Sequence, residues 1–189
     1  MLALKRRENS FNSNTPGQFP ILIGMKIALY LGSSFVDKTI LFFSRGGYTH
    51  AAVIMPDNSV IEAYPFRKVR KRASLTDQMN DSKVEVYEVL TTPEQDAVVI
   101  DFLHKQIGKG YDYWNILGFV FHTTHEGRIS TGRWFCSELV FATFKKANIN
   151  LLERVEAWKV SPTILSFNTT MKPVENYQFK RDTSEKIAM

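Results

Sequence analysis

Strand-like and helix-like segments are segregated along this 189-residue chain, and that segregation constrains the fold more than any other feature. Segments with strand character are predicted at 26–31, 49–55, 59–64, 84–89 and 174–179. Helices are predicted at 36–43, 92–106, 113–121 and 135–147, with a further short helix opening at Ser161-Pro162. Strands and helices that do not alternate regularly favour an α+β fold over a parallel α/β fold.

The chain has the size and composition of one globular domain with a hydrophobic core, since 44% of its residues are hydrophobic. Residues 1–24 are polar and rich in turn-forming residues, and we expect a flexible N-terminal extension. A dense hydrophobic pattern opens at Met25, so the domain is predicted over 25–178. A flexible charged tail is predicted over 179–189.

Several classes of protein are excluded or disfavoured. The single cysteine excludes an internal disulfide framework and any zinc site built from several thiolates. No stretch reaches the roughly 18 apolar residues of a membrane span, because Gly24 and Lys26 break the most apolar early segment. No signal-peptide pattern accompanies that segment, and we expect a cytoplasmic location. The net charge of +5 permits an anionic partner without naming one.

The most informative segment is Trp-Phe-Cys-Ser-Glu-Leu-Val, which carries Cys136 at the start of a predicted helix. The positive end of a helix dipole lowers the pKa of a thiol, and free N–H groups there can hold an oxyanion. The neighbouring Ser137 has no chemical role in this interpretation. The alternative is that Cys136 is a small buried residue, as free cysteines commonly are. The histidines decide between the two.

His50 and Glu62 lie on the two strands of a predicted hairpin. A histidine on a rigid strand can act as a general base, and a carboxylate among apolar residues needs a partner. Their side chains share a face only if an odd number of residues closes the hairpin. A loop of three residues satisfies that condition, whereas a two-residue turn at Asp57-Asn58 places them on opposite faces.

These residues, in this order, resemble the permuted branch of the NlpC-type papain-fold cysteine hydrolases, and most closely its YiiX/YaeF-like members. The resemblance rests on Tyr-Thr-His-Ala-Ala-Val around His50, then Glu62, then Phe-Cys-Ser-Glu-Leu-Val around Cys136. It extends over most of residues 25–177. Supporting pieces are the lead strand at 27–31, Gly-Tyr-Asp around Tyr111, and Ser161-Pro162. In this branch the histidine strand precedes the cysteine helix, the reverse of papain's order.

The resemblance implies a papain-like α+β domain, with a small antiparallel sheet or barrel packed on helices. It also implies an enzyme that hydrolyses an amide bond in a peptide or peptide-like substrate through a thioacyl intermediate, without a cofactor. Peptidoglycan-like and other acyl substrates belong to the same expectation. Cys136 is then the nucleophile, His50 the base and Glu62 the orienting acid, while Tyr111 lines the site. Acyl transfer or ester hydrolysis, and a non-catalytic binding module, stay as alternatives.

Two other features compete for a function. His122, His125 and Glu126 match neither H-E-x-x-H nor H-x-x-E-H, and we predict no metal site there. The basic run Arg67–Arg72 is typical of a solvated face or a protected edge strand, and an anionic ligand there is the alternative. No nucleic-acid-binding motif accompanies it, so nucleic acid is not an expected partner.

Overall fold

The computed structural model describes residues 23–31, 47–65, 67–75, 83–112, 132–175 and 177. The strands in these ranges are β1 (Ile23–Leu31), β2 (His50–Ile54), β3 (Val60–Tyr64), β4 (Lys68–Arg72), β5 (Lys83–Thr91), β6 (Gly110–Tyr111), β7 (Arg133–Trp134) and β8 (Lys172–Pro173). The helices are α1 (Pro93–Gln106), α2 (Cys136–Lys146) and α3 (Pro162–Ser166), with a 3₁₀ turn at Ala157–Lys159. The predicted helices at 36–43 and 113–121, and the predicted charged tail, lie outside the described residues.

Six of these strands form one antiparallel sheet in the order β4-β3-β2-β1-β5-β8. The remaining two, β6 and β7, form a short parallel pair. The main core lies between one face of the sheet and helices α1 and α2, and a smaller apolar cluster lies on the other face. The predicted α+β class, with a small antiparallel sheet and few helices, is confirmed.

The central strand β1 is longer than the sequence pattern predicts. It begins at Ile23 rather than at Lys26, because it pairs with β5 along its whole length, from Ile23 opposite Thr91 to Leu31 opposite Lys83. A Cβ at Gly24 would overlap the present position of the Glu88 side chain, so a larger residue there would require that side chain to move. The first residues of the sheet therefore come from the segment predicted as extension.

The hairpin between β2 and β3 closes through the three residues 56–58. The N–H of Met55 donates to the carbonyl of Ser59 at 2.8 Å, and the loop ends at Asn58 in a left-handed conformation with φ of 64°. Asparagine tolerates that conformation better than most residues. The odd loop length predicted as one alternative is confirmed, and it puts His50 and Glu62 on the same face of the sheet.

Helix α1 begins with the predicted capping box. The N–H of Gln95 donates to the hydroxyl of Thr92 at 3.3 Å, and the N–H of Thr92 donates to the Gln95 side chain at 3.0 Å. Gly108, with φ of +87°, follows the end of the helix as predicted. In the described ranges no helix has both the length and the apolar character that crossing a membrane requires.

Helix α2 carries the cysteine at its first position and packs its apolar side chains into the main core. Its C-terminal end is closed by Asn148, which takes a left-handed conformation with φ of 58°. Near its start, the fully buried hydroxyl of Ser137 donates to the carbonyl of Val160 at 2.6 Å. That bond attaches the beginning of α2 to the segment that leads into α3.

One prediction about the sheet is confirmed and one is wrong. The basic run, interpreted from sequence as a solvated face or a protected edge strand, contains the edge strand Lys68–Arg72, which pairs with β3. Within the described residues the last strand is Lys172–Pro173, which pairs with Tyr87 and Glu88 of β5, and residues 174, 175 and 177 of the predicted strand 174–179 are not in a strand. The observed strand is too short to show a period.

Replacing Ser137 with alanine should lower the free energy of unfolding by about 1–3 kcal/mol, because the buried carbonyl of Val160 loses its donor. Urea unfolding of both proteins measures this through the midpoint at an unchanged m-value. Ser166→Ala is the matched control, since that half-buried hydroxyl donates only to Thr163 in its own helix. Equal losses in the two variants would contradict the assigned role of Ser137.

Candidate active site

Cys136 is the first residue of α2, and its side chain is buried with 5% of its surface exposed. The residue before it, Phe135, has no side-chain oxygen with which to cap the helix. The backbone N–H groups of Ser137 and Ala51 both hydrogen-bond the Cys136 sulfur, and both lower its pKa. The sulfur therefore lies where the start of α2 meets the start of β2.

His50 is the first residue of β2, and the aromatic rings of the two neighbouring strands contact its ring. The ring of Tyr30 lies 5.2 Å from it on one side, and the ring of Tyr64 lies 5.5 Å away on the other. The Nε2 atom of His50 is 2.9 Å from Oε2 of Glu62. The Nδ1 atom is not used by that contact, and the neighbouring Cys136 raises the pKa of His50. The ring thus lies between two tyrosines and is held at Nε2 by Glu62.

Cys136 and His50 shift each other's pKa in opposite directions. Burial raises the pKa of the Cys136 thiol, but the opposite charge and hydrogen bond of His50 outweigh burial, and the net pKa is lowered. Burial likewise lowers the pKa of His50, but Cys136 and then Glu62 outweigh it, and the net pKa is raised. Both directions favour a thiolate paired with an imidazolium.

Glu62 is the most deeply buried charged side chain of the site, with 1% of its surface exposed. Burial raises its pKa, but His50, Arg72 and Arg70 together lower it, to about 2. Arg70 donates to Oε1 through Nε at 2.9 Å and through Nη2 at 2.8 Å. Glu62 is therefore an anion held by three cationic partners rather than by one histidine.

Arg72 lies two residues after Arg70, on the same face of β4, and is the third cationic partner of Glu62. Its Nη2 donates to Oε2 of Glu62 at 3.3 Å and to the hydroxyl of Tyr30 at 3.0 Å. Its Nε lies 2.9 Å from Oε1 of Glu62 but has no hydrogen-bond acceptor, so that contact is an ion pair only. The guanidinium is thereby linked to the tyrosine beside His50.

The basic run of the sequence is thus divided between two faces of one strand. Arg70 and Arg72 bind Glu62, whereas Lys71 is exposed and pairs with Asp57 at 3.0 Å. Arg67 and Lys68 are exposed as well. Sequence reasoning missed the role of the two arginines, although the alternation Lys-Val-Arg-Lys-Arg carried the signal. A period of two predicts a strand whose arginines share a face.

The remaining sequence candidates lie elsewhere. Tyr111, expected to line the site, is on β6 with 6% of its surface exposed, and its ring belongs to the main core. Its contact with a substrate stays a prediction. His122, His125 and Glu126 lie outside the described residues.

A second buried carboxylate lies two residues after the cysteine. Glu138 accepts a hydrogen bond from the backbone N–H of Phe135 at 3.4 Å, which supports the first turn of α2. Burial, with a smaller contribution from the charge of Asp112, raises the pKa of Glu138 to about 7. Sequence reasoning assigned Glu138 no role, and its contact with Phe135 makes it part of the helix start.

The acid stability of the protein should depend on Glu62. Its pKa is about 2 in the folded protein against an ordinary 4.5, so its stabilising effect is complete above about pH 4.5. That effect is lost as the pH falls through about 2, because protons then bind the folded chain as well. Glu62→Gln should lower the free energy of unfolding by about 3 kcal/mol at pH 7, and the difference should shrink below pH 4.

Urea unfolding of the wild type and the variant between pH 7 and pH 2 measures this difference. Asp57→Asn is the matched control, because its carboxyl pKa is also lowered to about 2 but the group is exposed. An exposed ion pair contributes about 1 kcal/mol or less. A pH-independent difference for Glu62→Gln would show that the lost contact, not the charge, explains the destabilisation.

No protein-family profile matches this sequence, and no curated protein matches it. Support for a function therefore comes from the geometry and charge of the side chains around Cys136.

Proposed function

We propose that this chain is a cysteine hydrolase that cleaves an amide bond, in a peptide or peptide-like substrate, through a thioacyl intermediate. The observation that carries the proposal is the 2.9 Å bond between His50 and the buried Glu62, together with the opposite pKa shifts that His50 and Cys136 cause in each other. A buried cysteine with only a packing role needs no charged histidine, and a histidine with only a packing role needs no buried carboxylate.

In the first half of the proposed reaction, the Cys136 thiolate attacks the carbonyl carbon of the amide. The carbonyl oxygen becomes an oxyanion, and N–H groups in the first turn of α2 are oriented to stabilise it. The imidazolium of His50 then gives its proton to the nitrogen of the leaving amine. The C–N bond breaks, and the acyl group remains on the sulfur as a thioester.

In the second half, neutral His50 removes a proton from a water molecule, and the resulting hydroxide adds to the thioester carbonyl. The C–S bond breaks, the carboxylic acid leaves, and the sulfur returns to its thiolate form beside the imidazolium. Glu62 keeps its charge throughout and binds Nε2, which leaves Nδ1 to carry the transferred proton.

The arrangement of elements supports a permuted papain-like fold as part of the same proposal. The histidine and the acid come from neighbouring strands of an antiparallel sheet, and the cysteine comes from the start of a later helix that packs on it. This is the order that the resemblance to the YiiX/YaeF-like proteins implies. A cytoplasmic location belongs to the proposal, because a reducing compartment preserves a free thiol.

Substrates with an acyl group other than an amide are compatible with the same intermediate. A peptide, a peptidoglycan-like molecule and an ester all offer a carbonyl that the thiolate can attack. If an alcohol or amine replaces water in the second half, the product is a transferred acyl group. Product analysis separates hydrolysis from transfer. An anionic ligand at the basic run Arg67–Arg72 stays a prediction.

The reactivity of Cys136 should reveal the ion pair. Iodoacetamide should alkylate Cys136 rapidly well below pH 8.5, the ordinary pKa of a cysteine, because His50 stabilises the thiolate. His50→Ala should move the midpoint of the alkylation profile upward by more than about one pH unit. His104→Ala is the control, since His104 is exposed on α1 and should leave the profile unchanged. An ordinary thiol profile in the wild type, unchanged in His50→Ala, would falsify the paired site.

Acyl transfer to Cys136 should be directly observable with a panel of acyl electrophiles. Amide and ester probes that label the wild type should modify Cys136, and peptide mapping by mass spectrometry locates the modified residue. Cys136→Ala should lose all labelling and turnover, by about a thousandfold or more, while its unfolding midpoint stays close to the wild type. Labelled Cys136 that never releases its acyl group would favour a binding module over an enzyme.

A further inference from the structure

Glu62 has more cationic partners than the orientation of one histidine requires. Arg70 places both Nε and Nη2 on Oε1, and its guanidinium lies over the ring of Tyr64 with 4.4 Å between the guanidinium carbon and the ring centre. Tyr64 in turn contacts the ring of His50. Arg70 therefore contacts two of the side chains that surround His50: the carboxylate of Glu62, which bonds the ring, and Tyr64, which packs on it.

Arg70 and His50 bind different oxygens of the carboxylate, whereas Arg72 contacts both. The two hydrogen bonds of Arg70 go to Oε1, and His50 bonds Oε2. Two donors from one planar guanidinium fix its direction of approach to Oε1, which a flexible lysine ammonium does not. With Oε1 held in this way, Oε2 stays in line with Nε2 of His50.

We infer that Arg70 is a positioning residue for the proposed reaction, acting on His50 through Glu62. It holds the carboxylate so that Oε2 faces the imidazole, and its charge limits how strongly the carboxylate retains the imidazolium proton. The inference rests on the proposed function, since it assigns Arg70 a part in the same proton transfer.

The charges around His50 make it possible to measure how the charge of Arg70 affects the pKa values of the Cys136–His50 pair. Glu62 and the Cys136 thiolate are negative, whereas Arg70, Arg72 and the His50 imidazolium are positive, so the cluster has one excess positive charge. Tyr30 faces the same ring, and burial raises its pKa, so it stays neutral there. Removing one positive charge makes every proton in the pair harder to lose, and both apparent pKa values of the pair rise.

The experiment compares three variants on β4 in the full chain. Arg70→Gln removes the charge and the fork, and Arg70→Lys keeps the charge but lacks the planar fork. Lys71→Gln is the matched control, because it makes the same change in net charge at an exposed side chain on the opposite face of the same strand. The readouts are the midpoint of Cys136 alkylation by iodoacetamide against pH, and the solvent exchange rate of the His50 Nε2 proton in NMR spectra.

Arg70→Gln should raise the alkylation midpoint by about one pH unit. Lys71→Gln should shift the midpoint by no more than about 0.2 units, because an exposed charge is screened by water and salt. Arg70→Lys should keep the midpoint close to the wild type. In Arg70→Lys, which keeps the charge, the Nε2 proton should exchange about tenfold faster than in the wild type, because the carboxylate is then less restrained.

Two outcomes would overturn the inference. One is a folded Arg70→Gln whose alkylation midpoint matches that of Lys71→Gln, which would make Arg70 a structural counter-ion only. The other applies even if Arg70→Gln does not fold: an Nε2 proton in Arg70→Lys that exchanges as slowly as in the wild type. Failure of the proposed function is a different result, namely an alkylation midpoint near pH 8.5 in the wild type itself.

Discussion

A carboxylate as buried as Glu62 costs several kcal/mol unless cations surround it, and here three of them do. The strands that supply these cations are the strands that build the sheet, so the charge cluster and the fold depend on each other. His50 comes from β2, Glu62 from β3 and both arginines from β4. Pairing of these three strands in register is what brings one anion and three cations to a single point.

The hairpin loop sets that register. Three residues between Met55 and Ser59 place positions 50 and 62 on one face, and a loop one residue shorter would place Glu62 among the apolar side chains of the main core. The next pairing, Glu62 opposite Arg70, puts a carboxylate beside a guanidinium without any further adjustment. The odd loop therefore fixes which face of the sheet carries charge.

Sequence reasoning found the parts of this arrangement that depend on local chemistry. The capping box of Thr92 and Gln95, the hairpin and the start of α2 are each set by residues within a few positions of one another. Sequence reasoning missed Arg70 and Arg72, because a run of five basic residues in six resembles a solvated surface whatever its period. It also gave Ser137 no role, since the carbonyl of Val160 that the hydroxyl binds is 23 residues away in sequence. Contacts of that range depend on the packing of whole elements, which a local pattern does not encode.

The arginines also bear on how a buried acid can assist proton transfer. A carboxylate beside an imidazole stabilises the imidazolium, which favours the thiolate, yet in the proposed reaction the same proton must later leave for the amine. A carboxylate without counter-ions would hold that proton too firmly. With Arg70 and Arg72 opposing its charge, Glu62 orients the ring while retaining the proton less strongly. In the proposed reaction, the arginines of β4 would allow Glu62 to favour the thiolate and still let His50 release its proton. A description of the site therefore includes these arginines as well as the cysteine, the histidine and the acid.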